Sequence, residues 1–373
     1  MNFKITKFGD FAVFKYGKMP KKSEIKENGR YPIYSGYRYV GYYDDYNTEA
    51  NQIIIVARGV GGTGDVKLTN ERCYLTNLSI SAQLDENVAL PQYLYYYFSL
   101  RNLRYLDSGS AQSQITISDL EKVEIPLPNI ESQIKLVNCL GVLDYKIRIN
   151  EVINNNLEQQ VRSLFKSWFL DFKPFGYAKP SDWKYGKLKD ILKLKRQSIK
   201  VGSDISLPYL PIDIIPIRTF ALTEFKPSSE AKSSLITFDK DDIIIGAMRV
   251  YFHRVVLAPC DGITRTTCFI LSPYHKEFLS FALLYCDQDS SIDYAQSTSK
   301  GSTMPYAIWE GGLGDMKIVI PPFEIAQSFN KLVLPMLRQI QNSYFENKSL
   351  KELRDALLPK LISGELDVSD INF

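Results

Sequence analysis

Histidine is nearly missing from this 373-residue chain, which holds two, His253 and His275. A histidine-based acid–base pair or metal site therefore has little material to form from. His253 sits in a strand-like run, and His275 opens an expected helix. The five cysteines, Cys73, Cys139, Cys260, Cys268 and Cys286, are odd in number and never spaced as CxxC. Neither a disulfide framework nor a zinc site is expected from them. No apolar run approaches the ~20 residues that span a bilayer. The opening "MNFKITKFGDF" lacks the apolar core and small-residue cleavage site of a signal peptide. A cytoplasmic protein without membrane contact is the expectation.

Catalytic signatures are missing as well. GxSxG, HExxH and GxxxxGK[ST] do not occur. Amino-methyltransferases grip their target amine with an Asn/Asp-Pro-Pro-aromatic tetrapeptide. Here Pro321–Pro322 follows Ile320 and cannot serve. Catalysis by this chain is not expected.

What is present is tyrosine, moderate charge and a repeat. Hydrophobic residues make up 45% and charged residues 23%, the balance of a folded globular protein. The net charge of +3 permits nucleic-acid binding without arguing for it. Residues 184–200, "KYGKLKDILKLKRQSIK", hold seven Lys or Arg against one Asp. They read either as a recognition surface or as a solvated basic face. Residues 31–46, "YPIYSGYRYVGYYDDY", carry seven of the 24 tyrosines. Tyrosine is half apolar and half polar, so the cluster reads first as strand surface and second as a recognition face.

Two segments, 123–169 and 318–362, resemble each other: an apolar strand, prolines, a polar pair, then a long helix. The first helix carries a 4-3 ladder of Leu136, Leu140, Leu143, Ile147, Asn150, Asn154, Leu157, Val161, Leu164 and Trp168. Adding 193 gives Phe329, Val333, Met336, Ile340, Ser343, Asn347, Leu350, Arg354, Leu357 and Leu361, with Arg354 alone breaking the pattern. Both ladders turn polar at the same two central rungs. The shared interruption implies an internal duplication of about 190 residues. Such a ladder is the seam of a coiled coil, with each ~40-residue helix ~60 Å long. The central Asn and Ser rungs either pair across the seam or leave a hydrated middle. Pro335 predicts a kink or a late helix start.

In front of each helix lies a mixed stretch. Strands are expected at 53–57, 74–80, 243–247, 254–258 and 266–271, with helices at 91–105 and 275–286. Residues 171–183, "DFKPFGYAKPSDW", read as a linker. The expected fold is α+β, in the order globular, helix, globular, helix. Its domains would be 1–128, 129–170 (central helix), 171–183 (linker), 184–322, 323–366 (C-terminal helix) and a tail at 367–373.

One motif imitates a dinucleotide site: Gly59-x-Gly61-x-x-Gly64, after the β-branched run at 53–56. That fingerprint needs a helix to start at the glycines, because the helix N-terminus holds the phosphates. The following "DVKLTNERCYLTNLSISAQ" alternates instead. In the second half "IIIGAMRVYFHRVV" keeps no glycine loop, and Arg249 stands near the place of Arg58. A hairpin or connecting loop carrying basic residues is the better reading.

The segments "YPIYSGYRYVGYYDDY", "VARGVGGTGDV", "GSAQSQITISDLEKVEIPLP", "LFKSWFLDF" and "LRDALLPKLISGEL", in that order and with the duplication, carry a resemblance. Over essentially its full length the chain resembles the specificity (S) subunit of type I restriction–modification systems. The resemblance implies two DNA target-recognition domains, each reading half of a split, asymmetric site in double-stranded DNA. Between them would lie two long antiparallel coiled-coil helices in a pseudo-twofold arrangement. It further implies two methylation subunits and restriction subunits as partners. S-adenosylmethionine, ATP and Mg would sit on those partners, with no cofactor or metal on this chain. The second domain departs from the pattern: "LPYLPIDIIPIRTF" stands where "YPIYSG" would be expected, and the two helix ends differ. Rival readings remain: a free-standing DNA-binding regulator, a coiled-coil assembly protein without a DNA role, or an enzyme with an unrecognised site.

Base reading needs Arg, Lys, Asn, Gln, Ser or Thr at groove edges, and phosphate contacts need Lys or Arg. The candidates in the first half are Lys21, Lys22, Tyr34, Ser35, Tyr37, Arg38, Arg58, Ser110, Gln112, Ser113 and Gln114. In the second half they are Lys195, Arg196, Arg218, Thr219, Arg249, Tyr251, Arg265, Lys300, Ser302 and Thr303. For each one a structural or solvent role competes.

Overall fold

The structure, a computed structural model, describes residues 1–36, 38–59, 62–107, 113–200, 206–232 and 234–368. The fold is α+β. The chain forms two compact units, Met1–Tyr145 with Lys351–Phe373, and Lys146–Leu350. Each of the two long helices contributes residues to both.

In the first unit β1 (Phe3–Lys7) pairs antiparallel with β9 (Glu124–Pro128), placing the two ends of the globular part side by side. Between them β2 (Ala12–Tyr16), β5 (Ile53–Val56), β6 (Val66–Leu68) and β8 (Ser79–Leu84) form an antiparallel sheet ordered 2-8-5-6. β3 (Tyr31–Ser35) and β4 (Arg38–Tyr43) make a hairpin, and β7 (Tyr74–Leu75) joins β3 in parallel. The expected 74–80 strand is thus two short strands, broken where Ser79 N–H donates to the Thr76 carbonyl.

The run Ile53–Val56 is apolar throughout because both faces of β5 are covered. Side chains alternate across a strand. Ile53 and Ile55 join the core under helix α1 (Pro91–Leu100), while Ile54 packs with Cys73 and Leu75. Pro91 at the first helical position suits α1, since its missing N–H would have had no helical partner, and the short α2 (Ile117–Leu120) follows.

The second unit follows the same order. β10 (Lys184–Lys187) pairs with β19 (Lys317–Ile320). β11 (Leu192–Lys195), β15 (Ile243–Gly246), β16 (Val255–Leu257) and β18 (Cys268–Pro273) form a sheet ordered 11-18-15-16. β12 (Ser198–Ile199), β13 (Tyr209–Leu210), β14 (Leu235–Phe238) and β17 (Gly262–Arg265) form the other sheet. Helices α4 (Leu279–Cys286) and α5 (Asp289–Ser297) complete the unit. The 171–183 segment is not loose, because Phe172, Phe175 and Trp183 pack on the core.

The long helices are α3 (Ile130–Phe165), extended by a wider turn over Lys166–Leu170, and α6 (Phe323–Ser363). Pro335 delays nothing, since α6 begins at Phe323 and runs through it. The ladder positions are largely buried, but at several rungs the buried residue is the next one along. Phe165, Phe169, Leu337 and Leu358 are buried, whereas Leu164, Trp168, Met336 and Leu357 are only half-buried. A helix of 3.6 residues per turn drifts ~20° per heptad against a 3.5 repeat. At their ends these helices also meet globular cores, so the buried face need not hold a two-helix seam.

Leu136 and Leu140 share the first unit's core with Leu358, Leu361 and Ile362. Arg354, which breaks the ladder, is held by the Asp144 carboxylate at 2.8 Å. In the second unit the polar rungs bond directly. Asn150 Nδ2 donates to Asn347 Oδ1 at 2.9 Å, and Asn347 Nδ2 donates to the Ile147 carbonyl at 3.2 Å. Asn154 Nδ2 reaches the Ile340 carbonyl at 3.4 Å, while Ser343 Oγ accepts from Gln339.

Candidate nucleic-acid interface

In each unit one end of the four-stranded sheet gathers basic and hydroxyl side chains. In the first unit β5 ends at Val56, and Ala57 N–H donates to the Leu78 carbonyl. Ile115 N–H donates to the Ala57 carbonyl, and Arg58 bridges Gln114, so the polar loop closes against the strand end. Ser113 and Gln114 are fixed by Asp107, whose carboxylate accepts from the Ser113 hydroxyl and, at 2.8 Å, from Gln114 N–H. The turn of the β3–β4 hairpin arrives at the same place. A Cβ on Gly36 would lie 3.5 Å from Val56, and Ser79 Oγ donates to the Gly36 carbonyl. Thr76 Oγ1 donates to Ser35 Oγ at 3.2 Å. Tyr34, Ser35, Arg38, Arg58, Ser113 and Gln114 therefore come together. Tyr34 is half-buried, which raises its pKa.

Gly59 and Gly64 of the imitated motif belong to the connection between β5 and β6, and Gly61 lies outside the described residues. Gly64 has φ +88°, and a Cβ there would lie 2.4 Å from the Arg104 backbone nitrogen. Its carbonyl accepts from Leu103 N–H at 2.9 Å. Close approach of backbone, rather than of a pyrophosphate, requires the glycine.

The second unit repeats the bonding with other side chains. Ala247 N–H donates to the Thr267 carbonyl, and Ala307 N–H to the Ala247 carbonyl. By these bonds Ala247 matches Ala57, so Met248 rather than Arg249 occupies the place of Arg58. Arg249 is one residue on, at φ +50°, its N–H donating to the Pro305 carbonyl at 2.7 Å. Lys300 pairs with Tyr306 across the polar loop, and Ser302 and Thr303 are exposed at its tip. Arg265 is exposed two residues before Thr267, and Tyr251 is exposed beside Phe252.

Other candidates lie elsewhere or are engaged. Lys21 pairs with Glu24 at 3.0 Å, and Glu24 also accepts from Tyr43. Tyr43 is at the far end of β4 from Arg38, roughly 17 Å along a strand. Lys21, with the adjacent Lys22, is thus away from the hairpin turn. Lys195 binds Asp239 at 2.6 Å and Asp242 at 2.7 Å. Burial works against its charge, yet the two carboxylates outweigh that and raise its pKa. Arg218 pairs with Asp289 at 3.0 Å, and Thr219 donates to Glu158. Both border an ionic cluster around Arg162, and a partnered Lys or Arg offers less to a phosphate. Arg196 is exposed in the connection between β11 and β12. Tyr37, Ser110 and Gln112 lie outside the described residues.

His253 is not in a strand. It has φ +54° and is buried, with Nε2 3.0 Å from Asp287. Thr76, Thr267 and Tyr306 belong to the two sheet ends but were missed. No local pattern marks a lone threonine, and only the cross-strand bonds locate it. Among the described residues no group of three or more His, Cys, Asp or Glu side chains could hold a metal. Among them, no helix is long and apolar enough to cross a membrane.

Comparison with known proteins bears on this geometry. Residues 1–159 match the family model for the type I restriction modification DNA specificity domain. The MjaIX specificity subunit of Methanocaldococcus jannaschii is 28% identical over 326 residues, covering 79% of this chain and 74% of that protein. The HindI specificity subunit of Haemophilus influenzae is 22% identical over 359 residues, covering 75% and 78%. The crystal structure of the type I restriction–modification S subunit from Mycoplasma genitalium shares the fold. Its TM-score is 0.70 at 22% identity, covering 97% of this chain and 96% of that one. Residues 1–159 thus match a type I restriction modification DNA specificity domain, and most of the chain is similar to specificity (S) subunits of type I restriction–modification systems.

Proposed function

We propose that this chain is the sequence-reading subunit of a type I restriction–modification enzyme, with one DNA-reading surface in each unit. The observation that carries the reading is the repeated sheet end. The same backbone bonds at Ala57 and Ala247 present Arg58, Ser113 and Gln114 in one unit, and Arg249, Lys300 and Tyr306 in the other. One scaffold with different side chains fits two different half-sites, hence an asymmetric split target. The shared strand orders 2-8-5-6 and 11-18-15-16 support an internal duplication with pseudo-twofold symmetry.

In this reading residues 1–128 and 184–322 are the target-recognition domains, and α3 and α6 are an antiparallel coiled-coil spacer. The Asn150–Asn347 bonds support a fixed register for that helix pair. At 1.5 Å per residue, the 36 residues of α3 extend about 54 Å, enough for half-sites about one DNA turn apart. Two methylation subunits and the restriction subunits dock on this chain. S-adenosylmethionine, ATP and Mg act on those partners, and adenine methylation follows the site this chain selects.

The test is a genome-wide map of methylated adenine in host cells with and without the gene. An asymmetric split motif should lose its methylation on deletion. Identical maps in cells that express the methylation subunits would refute the function.

A further inference from the structure

Four buried side-chain polar atoms lack a normal hydrogen-bond partner among the described residues: Arg58 Nε, Asn154 Oδ1, His253 Nδ1 and Thr267 Oγ1. Asn154 lies between the long helices, and His253 Nδ1 is 3.4 Å from Asp289. The other two lie at the same sheet end of their units, on neighbouring strands rather than at equivalent positions. Arg58 directly follows Ala57, whose N–H donates to the Leu78 carbonyl. Thr267 supplies the equivalent carbonyl to Ala247. Beside Thr267 lies the buried Cys268 thiol, a weak partner for a hydroxyl.

An unpaired buried donor is costly, and proteins retain few of them. Two at the corresponding sheet end of the two units, where the candidate contacts gather, point to an external partner. The surroundings fit a nucleobase edge. On the Arg58 side Gly59 has φ +135°, and among the described residues nothing lies within 4 Å of where its Cβ would stand, so the backbone beside Arg58 is uncrowded. Thr76 and Ser35 supply hydroxyls, and the Gln114 backbone bridges Arg58. Guanidinium groups pair with guanine O6 and N7 in the major groove, and threonine contacts any of several bases.

We propose that Arg58 is a specificity-determining residue that reads a guanine in the half-site of the first unit, and that Thr267 makes a base contact in the other half-site. This rests on the DNA-reading function proposed above and assigns residues within it. In the complete complex, the Arg58 side chain is satisfied by the base, and a different base leaves it unpaired. That asymmetry is what turns a contact into discrimination.

The experiment maps methylated adenine in cells expressing the full complex with wild-type chain, Arg58→Ala, Arg58→Gln or Thr267→Val. Wild type should show a split motif with one guanine strongly preferred in one half-site. In both Arg58 variants that preference, expected to be about 10-fold or more, should collapse to about 2-fold or less, with the other half-site unchanged. Thr267→Val should alter only the opposite half-site. Arg58→Gln keeps much of the aliphatic stem, so it reads the contact even if Arg58→Ala fails to fold. An unchanged motif overturns the proposal. So does uniform weakening across all sequences with a salt slope reduced by about one, the mark of a phosphate contact. If wild type directs no split-motif methylation, the function itself fails, and that outcome is separate from the others.

Discussion

Replacing Arg162 with alanine should weaken the second unit more than any exposed ion-pair variant. Arg162 Nε donates to Asp287 at 3.0 Å, Nη1 to Glu158 at 3.1 Å, and Nη2 to the Arg218 carbonyl at 3.0 Å. Its guanidinium also lies 4.4 Å from the Phe220 ring centre. Burial opposes its charge, but Asp287 and Glu158 more than compensate and raise its pKa. The Asp287 side chain is 2% exposed and, among the described residues, keeps only His253 as a side-chain partner once Arg162 is gone. Stranding a buried charge typically costs about 3–5 kcal/mol. Arg162 itself is 34% exposed, so water screens part of that loss. The expected cost is about 2–3 kcal/mol, including about 0.5–1 kcal/mol for the ring contact. For a unit of about 200 residues this lowers the melting temperature by about 5–10 °C. Calorimetry on the full chain reads it, within a cycle of Arg162→Ala, Asp287→Asn and the double variant. The double variant should lose less than the sum of the singles, because Asn leaves no stranded charge. A shift below about 1 °C for Arg162→Ala, or strictly additive losses, would refute the reasoning.

Other positions give independent checks. Gly64→Ala combines left-handed strain with a Cβ 2.4 Å from Arg104 N, so it should cost about 2–4 kcal/mol in a denaturant midpoint measurement. Wild-type stability there would mean that the approach of the two backbones relaxes freely. Burial pushes the thiol of Cys73 up to about 12 and that of Cys268 to about 11, and also raises Cys286. A thiol reagent at pH 8 should therefore label the partly exposed Cys139 and Cys260 first, and the other three only on unfolding. Because these folded-state values are raised, their protonated forms add stability that is complete below about pH 8.5 and fades as pH rises through the folded values. The opposite sign holds at Asp315, whose carboxyl Lys187 and Lys189 hold well below the usual range. Its contribution is full above about pH 4 and is lost as pH falls, so Asp315→Asn should flatten the acid limb of an unfolding curve.

The amino-acid sequence by itself determined the periodic parts of this protein. Runs such as Ile53–Val56 and Ile243–Ile245 read as strands from their β-branched residues, and continuous apolar character is what a strand covered on both faces carries. The 4-3 ladder with its Asn and Ser rungs located both long helices and their interrupted middle, because a helix's facing side is written at fixed spacing. Spacing did not decide which charges are free. Lys195 looked like part of a basic stripe, but Asp239 and Asp242, more than forty residues along the chain, take its ammonium. Arg218 and Thr219 are likewise drawn to Asp289 and Glu158, and Lys21 to Glu24. Nor could the string of residues place Thr267 opposite Ala247, or leave Arg58 Nε buried and unpaired. Periodicity belongs to one element and survives in one dimension. Whether a polar group is partnered depends on which distant segments the folded chain brings within 3 Å of it, and only the tertiary structure decides that.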